Sequence, residues 1–385
     1  MNIYLISSGY PTHKDPQYGC FERDQAKAFQ RGNHKLTILY VDGRFRSYYR
    51  KIGITHFNDC GIEVYSIYWF PLYVIYAVFP KLYKLLIKKM LCTLYEFVLK
   101  REDGPNIIYA HFLTNIYAAT AIKEKYNIPL VGMEHWSLLN SLQLPLFLKD
   151  MGKYAYTNAN QIVAVSESLR KQINFHFNKD AVVVHNMIGE EFILAPKIPK
   201  TIGNGEKIHF ISVGSLIYRK GFDVLVKALQ IVMGKFSNWE LKIVGDGPEK
   251  KKLLNLIVQA NLSDNIKLVG RKNKNEIISL LHDSDVFIFP SRAENFSVAV
   301  LEALSAGLPV VATICGGIRE CINSSNGLLV PVDDEKQMAD AIIEIVESIR
   351  KYSKKLIMED CKQKYSPAVI TQQLIDIFES ITDRK

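Results

Sequence analysis

The sequence predicts an α/β protein with two Rossmann-like, doubly wound domains facing a cleft. Three observations support this prediction. The chain has 385 residues, more than one ordinary hydrophobic core accommodates. Short β-branched runs alternate with helical patterns along most of it, as they do where helices cover both faces of a parallel sheet. Residues 195–205, rich in Pro, Gly and Lys, interrupt the alternation and are expected to be the linker between the domains.

The N-terminal domain is predicted to span residues 1–194. Its strand-like runs are Ile3–Ser7, Leu36–Val41, Ile62–Ile67, Ile107–His111, Leu130–Met133, Ile162–Val165 and Val182–His185. Helical patterns between them include Glu22–Arg31, Ile116–Tyr126 and Glu167–Phe175. The first run is too short for a signal peptide and no basic segment precedes it, so we expect it to be the first strand.

The C-terminal domain is predicted to span residues 206–365. Its strand-like runs are Ile208–Val213, Leu241–Val244, Ile266–Val269, Val286–Phe289, Val310–Ala312 and Gly327–Val330. Helical patterns lie near 221–235, 249–260, 274–282, 298–306 and 335–350. Residues 366–385 are expected to form a C-terminal helix that packs back on the N-terminal domain. In such folds, ligands bind at the carboxyl ends of the strands.

The composition favours a globular protein with an unevenly placed charge. The six cysteines are widely spaced, which favours reduced thiols of a cytoplasmic protein over a disulfide or zinc framework. The net charge is +9, and residues 1–200 carry 24 Lys and Arg against 16 Asp and Glu, a net +8. A basic N-terminal half suits nucleic acid, an anionic membrane surface or an acidic substrate.

One aromatic stretch departs from the alternation. Between Glu63 and Lys81 lie 17 uncharged residues, followed by a lysine-bearing helical pattern. Its short length and Pro71 disfavour a membrane span. Two interpretations remain, core packing and an interfacial surface that binds anionic lipid. The second would use Trp69, Phe70, Lys81, Lys84, Lys88 and Lys89.

The segment 285–312 contains the most informative polar residues. A strand ends near Ser291, Glu294 lies in the following loop, and a helix begins around Ser297 or Val298. The unpaired N–H groups of a helix start favour an anion such as phosphate. Glu294 and Glu302 flank this position and are able to accept hydrogen bonds from a sugar and a ribose. Taken alone, two ordinary surface glutamates would be the simpler interpretation.

Two further strand ends have glycine turns. Gly214 ends one strand and is followed by Arg219 and Lys220 beside a helix start, where a cation would neutralise phosphate. Gly245 and Gly247 follow the next strand; this G-x-G is weak alone, because the third glycine of a dinucleotide fingerprint is absent. Three such turns in one domain together indicate a nucleotide site.

On these residues the C-terminal half resembles family 4 of the retaining glycosyltransferases, which have the GT-B fold. The E-x7-E signature matches Glu294 and Glu302, followed by EALSAGLPVVAT and by Gly316–Gly317. The resemblance covers essentially the whole chain and is most specific in residues 208–332. It implies that Glu294 bonds the donor sugar and Glu302 the ribose. It implies that the diphosphate is bound by Lys220 and by the backbone amides of Phe296, Ser297 and Val298. It also implies that the base is surrounded by the turn at Gly245 and Gly247 and by Arg271, which follows Gly270.

Two positions depart from the family pattern. Ser215 stands where the family often has a phosphate-binding Arg, and Arg219 is the candidate replacement. Asn295 stands where Gly usually follows the first Glu, which would narrow the sugar pocket.

The N-terminal half supplies weaker matches. Gly19 in YGCFERDQAKAF resembles the family's glycine loop, with Cys20 in place of a second Gly. His135 in MEHW follows a strand where the family commonly has a His near the reacting carbon, and we assign it a catalytic role with Glu294 and Lys220. His111 is expected to be a packing residue.

The sequence therefore predicts a retaining hexosyl- or related glycosyltransferase that moves a sugar from a nucleotide-diphosphate donor to a hydroxyl. The expected acceptor is a lipid-linked glycan in cell-surface polysaccharide synthesis, reached by a cytoplasmic protein bound peripherally to the inner face of the membrane. No nucleic acid partner is expected, because the basic residues are not arranged in a recognisable recognition module, and no cofactor is expected. No metal is expected, because Asp283–Ser284–Asp285, a D-x-D in form, joins a helix end to a strand. The alternatives are a GT-B-like nucleotide-sugar epimerase and a non-catalytic sugar-nucleotide-binding scaffold.

Overall fold

The computed structural model describes residues 1–15, 18–45, 50–141, 143–194 and 206–383, and the predicted linker at 195–205 lies outside them. The chain divides into two compact units, Met1–Val184 with Ile370–Lys385, and His185–Val369. Residues 185–194, which the sequence patterns place in the N-terminal domain, belong to the second unit. Two hydrogen bonds attach them there: the Ile188 N–H donates to the Tyr365 carbonyl at 2.9 Å, and Asn186 Nδ2 donates to the Phe296 carbonyl at 2.8 Å.

Within its described residues, the first unit forms an eight-stranded sheet in the order β3-β4-β2-β1-β5-β6-β7-β8. The strands are β1 (Asn2–Ile6), β2 (Lys35–Val41), β3 (Gly53–Asp59), β4 (Ile62–Tyr68), β5 (Ile107–His111), β6 (Leu130–Glu134), β7 (Gln161–Ala164) and β8 (Val182–Val183). Neighbouring strands are parallel except β3 and β4. Ile3 of β1 lies opposite Leu36 on one side and Ile107 on the other, in the buried centre of the sheet.

Helices pack on both faces of this sheet. They are α1 (Cys20–Arg31), α2 (Leu72–Val78), α3 (Pro80–Leu99), α4 (Leu113–Tyr126), α5 (Leu146–Asn158) and α6 (Glu167–Phe177). The C-terminal helix, Pro367–Thr382, contributes Phe378, whose ring stacks on Phe29 at 5.8 Å and lies 5.1 Å from Tyr109. Among the described residues, none of the helices has the length and apolar character needed to cross a membrane.

The described part of the second unit forms a six-stranded, fully parallel sheet in the order β11-β10-β9-β12-β13-β14. Its strands are β9 (Ile208–Val213), β10 (Trp239–Val244), β11 (Ile266–Gly270), β12 (Val286–Phe289), β13 (Val310–Thr313) and β14 (Gly327–Val330). Its helices are α7 (Glu190–Leu194), α8 (Phe222–Met233), α9 (Lys250–Gln259), α10 (Lys274–His282), α11 (Val298–Ser305), α12 (Glu335–Glu347) and α13 (Lys354–Tyr365), and Pro367–Thr382 is α14. The core centres on Trp239, Phe210 and Ile288, all fully buried.

The prediction of two parallel-sheet α/β domains is confirmed. In each sheet the strand order reverses at one place, between β1 and β5 in the first unit and between β9 and β12 in the second. Loops diverge at such a switch point and leave a crevice outside the carboxyl ends of the strands, where ligands of open α/β sheets bind. The sequence patterns did not predict β3, an exposed edge strand, or the helices α5 and α13.

Candidate active site

Two loops meet at the switch point of the second sheet. The loop after β9 ends in a short turn, Tyr218–Lys220, and the loop after β12 carries Glu294. Lys220 Nζ donates to Glu294 Oε1 at 2.6 Å, and Ser291 Oγ lies 3.1 Å from the same oxygen. The Lys220 and Glu294 side chains are only 14% and 12% exposed. The fold thus joins a cation and a carboxylate, 74 residues apart in sequence, at one shielded position.

Arg219 is also held against the loop after β12. Its Nη1 donates to the Ala293 carbonyl at 2.9 Å and lies 3.5 Å from Glu294 Oε1. In return, the Arg219 carbonyl accepts the backbone N–H of Arg292 at 2.8 Å. Arg219 therefore brings a second positive charge to Glu294. It remains the candidate replacement for the family arginine that is absent at Ser215.

Glycines allow these strand-end loops to approach closely. Gly221 has φ +67°, and a Cβ there would overlap with the Pro290 carbonyl at the end of β12. Gly245 has φ +143°, and a Cβ there would overlap with the Gly214 carbonyl after β9. Side chains are excluded at both positions, so the loops after β9, β10 and β12 pack backbone against backbone. The Gly245 N–H also donates to the Gly270 carbonyl at 2.9 Å, which adds the end of β11 to the group.

Helix α11 begins directly after the Glu294 loop. Ser297 is its N-cap residue, and its hydroxyl makes no capping hydrogen bond. The first N–H groups of an α-helix have no intrahelical acceptor, and the helix dipole favours an anion beside them. Glu302, on the second turn of α11, is partly exposed. The helix start follows the loop that contacts Lys220 and Arg219, an arrangement that suits an anion.

Sequence reasoning missed Asn186 and His185, which support this loop. Asn186 is buried and donates to the Phe296 carbonyl, and the Phe296 ring lies 4.5 Å from the imidazole of His185. His185 Nε2 in turn lies 3.0 Å from Glu320 Oε2. The signal in the sequence was a polar His-Asn pair directly after the hydrophobic run 182–184.

Asn295 and the glycine pair Gly316–Gly317 hold a second side of the loop that carries Glu294. Asn295 is buried, and its carbonyl accepts the Gly317 N–H at 2.8 Å. Gly316 has φ +52°, and a Cβ there would overlap with the Glu294 carbonyl. The backbone of Glu294 is therefore held from both sides, by residues 316–317 and by Arg219.

Two family models match the two halves of the chain. The family model described as Glycosyltransferase Family 4 matches residues 23–192, and that described as Glycosyl transferases group 1 matches residues 196–359. Together these models match most of the chain. The chain is a family 4-type glycosyltransferase.

Curated relatives of this glycosyltransferase are similar over part of its length. An uncharacterized glycosyltransferase of Methanocaldococcus jannaschii is 29% identical over 276 residues, 68% of this chain and 74% of its own. A putative colanic acid biosynthesis glycosyltransferase of Salmonella typhimurium is 30% identical over 191 residues, 46% of each chain.

The solved structures confirm the fold of the glycosyltransferase. Anabaena HepE in complex with UDP superposes with a TM-score of 0.73 at 18% identity, covering 98% of this chain and 99% of its own. At this identity the likeness shows the GT-B fold.

In the first unit of the glycosyltransferase, Gly19 and His135 follow strands β1 and β6. Gly19 caps α1 with φ +74°, and a Cβ there would overlap with the Gly9 backbone. The His135 ring stacks on His111, with centroids 5.0 Å apart. His111 is fully buried, and burial holds its pKa well below the usual value.

The D-x-D segment of the glycosyltransferase has a structural partner. Asp285 Oδ2 accepts the backbone N–H of His209 at 2.9 Å, and burial raises the pKa of its carboxyl. Over the described ranges, no group of three His, Cys, Asp or Glu side chains is arranged to hold a metal ion.

The remaining predicted residues lie at the same sheet edge. Gly247 follows Gly245, and its N–H donates to Asp246 Oδ1 at 2.9 Å. Arg271 directly follows β11 and is exposed. Phe296 and Ser297 are buried and Val298 is partly exposed at the start of α11. The second unit thus contains all the predicted donor-site residues except Gly19.

Proposed function

We propose that this glycosyltransferase transfers a sugar from a nucleoside diphosphate donor to a hydroxyl group, with retention of anomeric configuration. The observation that carries the proposal is the Lys220–Glu294 contact of 2.6 Å at the switch point, beside the start of α11. This position offers a cation and free amides for a diphosphate and a carboxylate for sugar hydroxyls. The UDP-bound HepE structure, which has the same fold, supports a nucleotide donor.

Each donor group has a partner in this proposal. Lys220, Arg219 and the amides of residues 296–298 bind the diphosphate, and Glu294 accepts from a hydroxyl of the donor sugar. Glu302, on the second turn of α11, accepts from the ribose, and the glycine turn at 245–247 and Arg271 border the base. Lys220 is paired with Glu294 in the free protein, so both side chains are pre-oriented before the donor arrives.

The reaction proposed is a same-face displacement. The bond from the anomeric carbon to the diphosphate oxygen breaks, the acceptor oxygen bonds to that carbon, and the acceptor proton passes to the leaving diphosphate. Lys220 and the helix-start amides stabilise the charge that develops on the diphosphate, a preorganised arrangement that does not require a metal. His135 is assigned the contact near the reacting carbon that its family position implies.

The stereochemistry is tested by incubating the protein with its donor and an acceptor or water. Nucleoside diphosphate should be released, and early proton NMR spectra should show the anomeric configuration of the donor retained in the first-formed product. An inverted product would contradict the mechanism. An isomerised donor formed without sugar release would instead identify an epimerase, and absence of any donor turnover would identify a binding scaffold.

A lipid-linked glycan is the proposed acceptor, met at an anionic membrane surface. The similarity to a colanic acid biosynthesis protein supports the glycan. The basic first unit supports the membrane, and the segment formed by α2 and the first half of α3 exposes Val78, Phe79 and Leu85 together with Lys81 and Lys89. Apolar side chains flanked by lysines are the pattern of an interfacial surface.

Two of the four lysines predicted for that surface make contacts within the first unit. Lys84 is paired with Asp150. Lys88 lies over the rings of Tyr117 and Tyr154, at 4.6 and 4.3 Å, and burial lowers its pKa. These two lysines are engaged within the first unit, so the docking surface proposed here consists of Val78, Phe79, Lys81, Leu85 and Lys89.

Vesicle co-sedimentation tests this surface. Wild type should bind anionic vesicles at low salt and be released at high salt, since each lysine near such a surface contributes about 1 kcal/mol. Lys81→Glu with Lys89→Glu, or Phe79→Ser, should reduce binding. The matched charge reversal Lys251→Glu with Lys336→Glu, at exposed positions of the second unit, should not. Equal binding of all variants would exclude this surface, and absence of binding by wild type would remove the membrane from the proposal.

A further inference from the structure

Glu134, the last residue of β6, is a fully buried carboxylate with four hydrogen-bond donors. Its Oε1 accepts the backbone N–H groups of His135 at 2.9 Å and Trp136 at 2.8 Å. Its Oε2 accepts the Tyr156 hydroxyl at 2.6 Å, and the backbone N–H of Leu113 adds a fourth bond. Burial raises the pKa of Glu134, whereas these four bonds favour its ionised form.

The four donors belong to three different elements. Leu113 is the first residue of α4, Tyr156 lies in α5, and the other two donors begin the loop after β6. None of them is a cation, so the carboxylate is held by neutral dipoles alone. Burying a carboxylate is costly unless it is fully hydrogen-bonded. An arrangement this costly ties the loop after β6 to two helices at a single point.

The partly exposed imidazole of His135 is bordered by three aromatic rings. Its centroid lies 5.0 Å from those of Phe21 and His111 and 5.3 Å from that of Phe112. Phe112 has φ +68°, an outlier for an aromatic residue. Strain of this kind persists where the surroundings hold the backbone in place, and it concentrates at functional sites.

We propose that Glu134 is a positioning residue for His135. Its carboxylate fixes the backbone at the carboxyl end of β6, and the surrounding rings then leave the imidazole one orientation. This inference rests on the proposed function, in which His135 contacts the reacting sugar. Glu134 itself touches no substrate and acts through its neighbour. A fixed imidazole lowers the cost of reaching the transition state, because side-chain freedom is lost before the donor binds.

A double-mutant cycle of Glu134→Gln and His135→Ala tests the proposal. Donor turnover is measured with whichever UDP-, GDP- or ADP-sugar stabilises wild type most. Glu134→Gln should lower kcat about 10-fold with KM for the donor nearly unchanged, because all the predicted donor residues except Gly19 lie on the second unit. In the His135→Ala background it should have no further effect. Tyr156→Phe, which removes one donor and keeps the carboxylate, should act in the same direction with a smaller loss.

A spectroscopic arm separates this inference from the proposed function. The imidazole signals of His135, assigned by their loss in His135→Ala, should shift or broaden in Glu134→Gln even if no sugar is turned over. Asp285→Asn is the matched control, because it also neutralises a buried carboxylate that accepts a backbone N–H. It should leave these signals unchanged. Unaltered His135 signals in folded Glu134→Gln, or an equal loss of kcat in both backgrounds, would overturn the proposal and leave Glu134 a purely structural role.

Discussion

Glu294→Gln is expected to lower donor turnover about 100-fold or more while the protein stays folded, which corresponds to about 2.7 kcal/mol of transition-state stabilisation. The carboxylate accepts from Lys220 at 2.6 Å and from Ser291 at 3.1 Å. The amide retains the shape and one acceptor oxygen, but it carries no charge and donates where the carboxylate accepts. Hydrogen bonds to charged groups contribute about 1.5–3 kcal/mol each, so losing the bonds to Lys220 and to the sugar accounts for the expected effect.

The assay is release of nucleoside diphosphate at saturating donor, with thermal unfolding of each variant as the check on folding. Glu240→Gln is a matched control, since its side chain is 13% exposed and pairs with Lys207 at 3.3 Å. Glu240 lies near the amino end of β10, at the opposite edge of the sheet from the site. This variant should be less stable and equally active. Folded Glu294→Gln with more than half of wild-type turnover, or an equal loss in Glu240→Gln, would refute the reasoning.

Three further predictions follow from single positions. Gly245→Ala should lose donor binding and unfold more easily, because its Cβ would overlap with the Gly214 carbonyl. Gly270→Ala is the control: a Cβ there meets no other atom, so only the φ of +74° is unfavourable and the cost should be about 1–2 kcal/mol of unfolding free energy. Burial raises the pKa of Glu22 from 4.5 to about 7, so the folded protein binds this proton more tightly and stability falls as pH rises through this window. Denaturant unfolding at pH 5 and pH 8 should show that Glu22→Gln reduces this fall by about 2.5 kcal/mol. Activity should survive excess EDTA and the Asp283→Asn change, and a loss restored by Mn²⁺ or Mg²⁺ would contradict metal-independent catalysis.

Much of the fold was predictable because buried parallel strands appear as short hydrophobic runs between turn residues. The strands over 107–111, 208–213, 286–289 and 327–330 have the predicted bounds. Strand β3 escaped prediction because it is an exposed edge strand, so burial imposes no apolar alternation on Gly53–Asp59. In α5, the buried Leu148, Met151 and Ala155 have helical spacing, and this signal was overlooked.

The sequence predicted which site residues follow strand ends, but not which of them contact each other. Lys220 and Glu294 each follow a strand, but their contact depends on β9 and β12 being neighbours, which local patterns do not specify. The donors to Glu134 come from residues 113, 135, 136 and 156, so no sequence spacing reveals them.

The lysine face of α3 shows the same limit. Helical periodicity places Lys84 and Lys88 on one face, but it cannot show that Asp150 and Tyr154 of α5 cover that face.

The most direct test of the central claim is a thermal unfolding experiment with UDP, GDP, ADP and their sugars, on wild type and on Lys220→Ala. One nucleotide series should stabilise wild type, by about 2.7 kcal/mol at a ligand concentration 100 times Kd. Lys220→Ala, measured against its own melting temperature in the absence of ligand, should lose most of that gain, because the diphosphate loses its principal cation. Stabilisation of both proteins to the same extent, or of neither by any nucleotide, would contradict a donor site built on Lys220 and Glu294.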